Sequence, residues 1–291
     1  MREAPLPKPA GLAGYIHVAL LREVGIAGKL LQSQQPRDAV THEVRKALKR
    51  ARAYLRLLRG FIDQPDYRAT NSALRDIGGE CRGRRDAEAL LSTLQSIGKR
   101  APRGRPASRR LQRTLQEEVA RQAVPAADAA GNAQRLADLV LQVATWEMPQ
   151  GGRRAIRHAL LHTFERARKA YRHAKDSGRA ADWHECRKQT KYWRQQLYLL
   201  GAVLPARMRS LAEGSDELAD ELGEERDLLL LRAEAAKQQQ RGRHDGQHER
   251  SHDSRSALLA YIDQRRRKLR RHIDPCAKSI YRHKPTPIKL R

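Results

Sequence analysis

The sequence predicts an all-α fold built by internal duplication, and three observations carry that expectation. Aromatic residues make up only 4% of the chain, against 40% hydrophobic residues overall. A core of that composition rests on Leu, Ala and Val. Ala and Leu favour helices, and the β-branched and aromatic runs that mark strands are scarce. The second observation is that HECRKQTKYWRQQLYLLG, from His184, nearly repeats HEVRKALKRARAYLRLLRG, from His42. His42 pairs with His184, Arg45 with Arg187, Lys46 with Lys188, Lys49 with Lys191 and Arg52 with Arg194, all at an offset of 142. The third is that this repeat is not isolated. Ile16, Leu20, Leu21 and Lys29 recur as Ile156, Leu160, Leu161 and Lys169 at an offset of 140, and Arg85-Asp86 recurs as Arg226-Asp227 at 141. Three segments in one order at nearly one spacing identify a duplication with halves of about 140 residues.

Breakers divide each half. An Ala/Leu-rich helix is expected from Leu12 to Gln34, with its relative at Arg153 to His173, and the quoted helix follows in both halves. Gln64 to Asp66, Gly98 to Pro106 and Val124 to Asn132 read as loops, and Gly201 and Pro205 end the second quoted helix. Met148 to Arg154 reads as the hinge between halves, Gln238 to Ser254 as a polar linker, and the closing KPTPIKLR as a non-helical tail. The expected units are 12–147, 151–283 and the tail 284–291. Each half should form an antiparallel bundle of about four long helices with short connections.

Charge narrows the function. With 59 Lys and Arg against 33 Asp and Glu, the net charge is +26. Self-repulsion of that size opposes compaction and calls for a polyanionic partner, whether nucleic acid, an anionic surface or an inorganic polyanion. Cys81, Cys186 and Cys276 are far apart and have no metal-type spacing, so they read as reduced thiols. The first 25 residues lack the basic and apolar regions of a signal peptide, and no apolar run approaches about 18 residues. A cytoplasmic chain without a membrane span is therefore expected.

On a helical wheel the first quoted copy separates cleanly. Val44, Ala47, Leu48, Ala51, Leu55 and Leu58 share one arc, while His42, Arg45, Lys46, Lys49, Arg52 and Arg56 share the opposite one. In the second copy Cys186, Thr190, Trp193, Leu197 and Leu200 oppose His184, Arg187, Lys188, Lys191 and Arg194. A solvated face would interleave acids with bases, because like charges at i,i+4 destabilise a helix by about 0.2–0.5 kcal/mol per pair. Here Arg45/Lys49, Lys49/Arg52 and Arg52/Arg56 are like-charged neighbours, with only Glu43 close by. The stripe is read as a polyanion-binding face.

HEVRKALKRAR and HECRKQTKYWR, backed by RRDAEALL and ERDLLLL, resemble the motifs of the CHAD family, the conserved histidine α-helical domains. The resemblance spans roughly residues 12 to 283. It implies two four-helix bundles related by pseudo-two-fold symmetry around a basic central cavity, and an activity of binding inorganic polyphosphate, free or in granules. It carries over His42, Arg45, Lys49 and Arg50 from the first motif and His184, Arg187, Lys188, Lys191 and Arg194 from the second. Tyr192 departs from the pattern where the first copy has Arg50, which leaves the second stripe one charge weaker.

The ligand suits the residues. Polyphosphate has about one negative charge per unit and no bases to read, so its site needs cations and N–H donors but no stacking surfaces. Single-stranded nucleic-acid sites usually add exposed aromatics. A nucleic-acid-binding helical protein is the alternative reading. His42 and His184, in the first turns of their helices, can add donors or charge. Asp86 and Asp227 read as orienting a neighbouring cation. On the helix that opens the second half, Arg157 is the cavity-lining candidate among Arg153, Arg154, Arg157, Arg166, Lys169 and Arg172. His244, His248 and His252 have a spacing that could hold a metal on a helix, but Gly242 and Gly246 favour a solvated linker. No phosphate-cradling Gly-rich loop and no clustered acids for a catalytic cation are found, so a binder without chemistry or cofactor is expected.

Overall fold

In a computed structural model, residues 11–33, 37–81, 85–98, 102–121, 126–244, 249–282 and 290 are described. They form ten α-helices and one 3-10 turn, with no strand among the described residues. The first half holds α1 (Gly11–Gln32), α2 (Arg37–Leu58), α3 (Gln64–Glu80), α4 (Arg85–Gly98), α5 (Arg105–Arg121) and α6 (Ala126–Ala144). The second half holds α7 (Arg153–Ser177), α8 (Ala180–Leu199), α9 (Ala206–His244) and α10 (Glu249–Tyr281). Shifted by the 141-residue offset, the residue ranges of α3 and α4 fall almost wholly within that of α9 and those of α5 and α6 around that of α10, so the first half has six helices where about four were expected.

Local chemistry explains where the helices start and stop, including three places where the breakers mislead. Gln64 to Asp66 is not a loop but the first turn of α3. Asp63 caps it by accepting from the Asp66 amide at 2.9 Å, and Pro65 occupies a position whose missing N–H is not needed. Ala126 to Asn132 opens α6, where five alanines within 126–133 outweigh Gly131. Much of the expected linker at Gln238 to Ser254 is helical, because Gln, Arg and Glu are good helix formers even without an apolar face. The ends of α7 do follow glycine. Gly178 takes a left-handed φ of 65° and donates its amide to Ala174 O at 2.9 Å. At the hinge, Gly152 has φ 96°, and a Cβ there would sit 2.6 Å from the Phe61 ring.

The quoted helices α2 and α8 occupy the middle of the packing. α1 packs on α2 and α6, and α3 on α2 and α6; α7 packs on α8, α8 on α9, and α9 on α10. The helices α4 and α5 lie against each other, and also reach across to α9 and α10 respectively. Contact between α2 and α8 joins the halves. There the buried Gln196 side-chain amide donates to the carbonyl of the buried Ala53 at 2.9 Å. α9 and α10 run antiparallel, as their ion pairs show: Arg232 with Asp263, Glu224 with Arg265, Glu221 with His272.

The apolar arcs are the core. Val44, Ala47, Leu48, Ala51, Leu55 and Leu58 are buried, and so are Cys186, Thr190, Trp193, Leu197 and Leu200. Ile16 and Leu20 match Ile156 and Leu160 in being wholly buried. Trp193 meets Phe164 edge-on at 5.1 Å, tying α8 to α7. Among the described residues no helix is long and apolar enough to cross a membrane. Replacing Leu55 or Leu197 by Ala should lower unfolding free energy by about 2–5 kcal/mol in denaturant titrations, whereas Tyr198→Ala, at an exposed site beside them, should lower it far less.

Candidate functional site

The basic residues of α2 and α8 divide into two groups by what neutralises them. Lys46 is exposed and paired with Glu43 at 2.9 Å, and Lys188 is paired with Glu185. Arg50 meets Glu23 of α1 at 2.8 Å, a half-buried pair. Burial alone would lower the Arg50 pKa, but the hydrogen bond and charge of Glu23 raise it on balance. Arg194 is paired with Asp216 of α9. These four positive charges are balanced within the protein.

The second group has no carboxylate partner among the described residues. Arg52 and Arg56, half-buried near the end of α2, reach across the contact with α8 and lie over the ring of Tyr192. Their guanidinium carbons stand 5.8 and 4.1 Å from its centroid. Arg52 donates Nε–H to the neutral Asn71 at 3.1 Å, while Arg56 Nε is buried without an acceptor. Burial lowers the Arg52 pKa. Arg187 also has a buried Nε without an acceptor. It is desolvated, then drawn back towards its charged form by Asp227 and opposed by Arg226. It lies against Gly223 of α9, where a Cβ would stand 3.3 Å from Nη2.

Lys191 is the most perturbed of the set. Burial, with Arg187 and Arg194 repelling it, pulls its ammonium down to about 8, while Asp220 and Asp227 of α9 pull the other way. His184 is likewise lowered, first by burial and then by Arg226, Arg187 and Lys188. On α7, His162 is lowered by burial and by Arg166, Arg59, His158 and Arg56, so the positive field continues past the end of α2. The candidate residues thus form two groups of desolvated like charges, Arg52, Arg56 and His162 in one and His184, Arg187 and Lys191 in the other, a costly arrangement that opposite charge would relieve.

The remaining sequence candidates fall around this set. His42 lies 3.8 Å from Glu43 and is half-buried. Arg45 is half-buried, with its charge felt at Cys81, and Lys49 is exposed. Arg157 is half-buried on α7. The side chain of Asp86 lies outside the described residues, as do those of His244, His248 and His252. Among the described residues no group of three or more His, Cys, Asp or Glu could hold a metal ion. The sequence reading missed Tyr192 as a support for arginine, and missed the part of Gly223. Arg50, counted in the stripe from the sequence, is paired with Glu23 of α1.

A family model for the CHAD domain matches residues 27–236. The chain belongs to the CHAD family. A crystal structure of the CHAD domain from the plant Ricinus communis is similar over 100% of this chain and 98% of that one, with a TM-score of 0.67 at 20% sequence identity. That likeness is one of fold. A comparison with curated proteins finds no match.

Two predictions follow from the buried cations of this CHAD chain. The folded pKa of Lys191 lies below its ordinary 10.5, so between about 8 and that value the unfolded chain holds a proton that the folded chain has lost. Stability should therefore rise with pH across this window, and the rise should shrink in Lys191→Met. A bound polyanion would restore the proton. Its affinity should fall as pH rises through about 8, with proton uptake visible by calorimetry in buffers of different ionisation enthalpy. The second concerns Gly223→Ala. Helix propensity alone would make it stabilising by up to about 1 kcal/mol, but the new Cβ displaces Arg187, so polyanion affinity should drop without loss of melting temperature.

Proposed function

We propose that this CHAD chain binds inorganic polyphosphate, without turning it over, on the basic face shared by α2 and α8. The observation that carries the reading is the set Arg52, Arg56, Arg187 and Lys191: four cations partly withdrawn from water and lacking a carboxylate partner among the described residues. An exposed cation is already satisfied by water, so a polyanion gains little by displacing it. A desolvated cation without a counter-ion is a standing penalty that phosphate oxygens remove, and guanidinium groups can do so with paired N–H donors. His42 and His184, which lie in the second turns of α2 and α8 and not in the first turns the sequence suggested, extend the face with Arg45 and Lys49, and Arg157 borders it on α7. The resemblance of the motifs to polyphosphate-binding CHAD domains supports the choice of ligand.

In this reading the two repeats are related by an approximate two-fold axis, each contributing four helical spans, and their stripes bound one basic cavity. A flexible chain of phosphates can follow such a path, and no group in it requires stacking. The protein would meet polyphosphate in the cytoplasm, free or in granules.

The test is competition at physiological salt between long polyphosphate and single- or double-stranded DNA and RNA of matched charge. Polyphosphate should win, with an affinity that falls with salt by a slope of about −0.7 per contacted phosphate, by analogy with single strands. Equal or better binding of nucleic acid would replace this reading with the nucleic-acid one. Polyphosphate at a hundredfold excess over Kd should add about 2.7 kcal/mol and raise the melting midpoint by about 5–10 °C. Orthophosphate should give much less, since it cannot engage both stripes at once.

A further inference from the structure

We infer that Tyr192 is a positioning residue of this site, and that it works because it is uncharged: its ring holds Arg52 and Arg56 from the other repeat while leaving their positive charge available to phosphate. The inference rests on the polyphosphate reading above. Three observations support it. Tyr192 is buried, 5% exposed, beside the contact that joins α2 to α8. Both guanidinium groups fall within the roughly 6 Å at which an aromatic face attracts a cation. Neither has a carboxylate among the described residues.

The chemistry separates an aromatic clamp from the alternatives. A carboxylate would also fix an arginine, but it would cancel the charge and occupy the N–H donors that phosphate needs. Water would leave the side chain free to sample many rotamers, all of which must be frozen on binding. An aromatic face takes the flat side of a guanidinium and leaves the N–H groups at its edge pointing away. Arg56 Nε, buried and without an acceptor, shows that no protein group has taken that donor.

The repeat supplies an independent argument. At the equivalent position the first copy has Arg50, paired with Glu23 of α1. The second copy has Tyr192, and the residue equivalent to Glu23 at the offset of 140 is Thr163. Thr163 is buried, and its hydroxyl donates within its own helix, to Ala159 O at 3.2 Å. A neutral pair has replaced an ion pair at both members. An arginine at 192 would find no acid at 163 and would meet Arg52 and Arg56 instead.

The experiment uses the full chain and long polyphosphate in five forms: wild type, Tyr192→Phe, Tyr192→Leu, Tyr192→Arg, and Tyr192→Arg combined with Thr163→Glu. Phe keeps the π face and should bind within about twofold of wild type. Leu should weaken binding by about five- to thirty-fold, the equivalent of losing about 1–2 kcal/mol of cation–π attraction, and should flatten the salt dependence because two cations no longer sit on the ligand. Arg should also weaken binding although it adds a positive charge, and the Thr163→Glu partner should recover folding but not affinity. In the free protein, the Arg56 side-chain NMR signals should show a ring-current shift that survives in Phe and disappears in Leu. Tighter binding by Tyr192→Arg, wild-type binding by Tyr192→Leu, or no ring-current shift would each overturn the inference while leaving the polyphosphate reading intact. A wild-type chain that binds no polyphosphate would overturn both.

Discussion

The constraint on which this structure depends is the holding of like charges, half out of water, along the two quoted helices, α2 and α8. Two unit charges about 6 Å apart repel by roughly 3 kcal/mol at an effective dielectric of about 20, before salt screening. Repulsion of this kind adds to burial at Lys191, which Arg187 and Arg194 oppose, and at Arg52, which Arg56 and Arg75 oppose. The opposing terms are visible in the same helices. The buried arc beneath the stripe is filled without interruption from Val44 to Leu58 and from Cys186 to Leu200. Gln196 fixes α8 on the backbone of α2, and Phe164 and Trp193 secure α8 on α7. Apolar burial of that extent is what allows a repulsive face to exist.

The placement of the acids follows from the same constraint. Glu221, Glu224 and Glu225 lie on α9 facing Arg265, Arg266, Arg270 and His272 of α10, and there they act as a ladder between two long helices. Glu225 is buried between two arginines, so removing it would strand charge in the interior. Asp220 and Asp227 are felt by Arg187 and Lys191 as a moderating field. The acids of α9 that pair with α10 and those that only moderate the cations of α8 are thus separated by which neighbouring helix they face.

Much of this was legible in one dimension. Hydrophobic periodicity identified the buried arcs residue by residue, because burial on a helix depends on the chain's own angle and little else. Helix limits were less legible, and Pro65 shows why. Proline interrupts a helix interior but suits a first turn, and only the cap made by Asp63 separates the two cases. The site was half legible. Its residues could be listed from the stripe, but which of them remain uncompensated is decided by α1 and α9, through Glu23, Asp216 and Gly223, and a helical wheel contains no second helix.

Tyr192 differs from its counterpart Arg50 by more than a lost charge. Aligning the copies counts charges, and by that count the second stripe is the poorer. The folded chain weighs only charge that nothing else cancels. By that measure Arg50 contributes little, since Glu23 lies 2.8 Å away and both side chains are withdrawn from solvent. Tyr192 subtracts nothing, and it orders two cations donated by the opposite repeat. Divergence between the copies at this position therefore alters how the neighbouring arginines are held. One half is held by an ion pair to a neighbouring helix. At the contact between halves, an aromatic face performs the same service without consuming the charge.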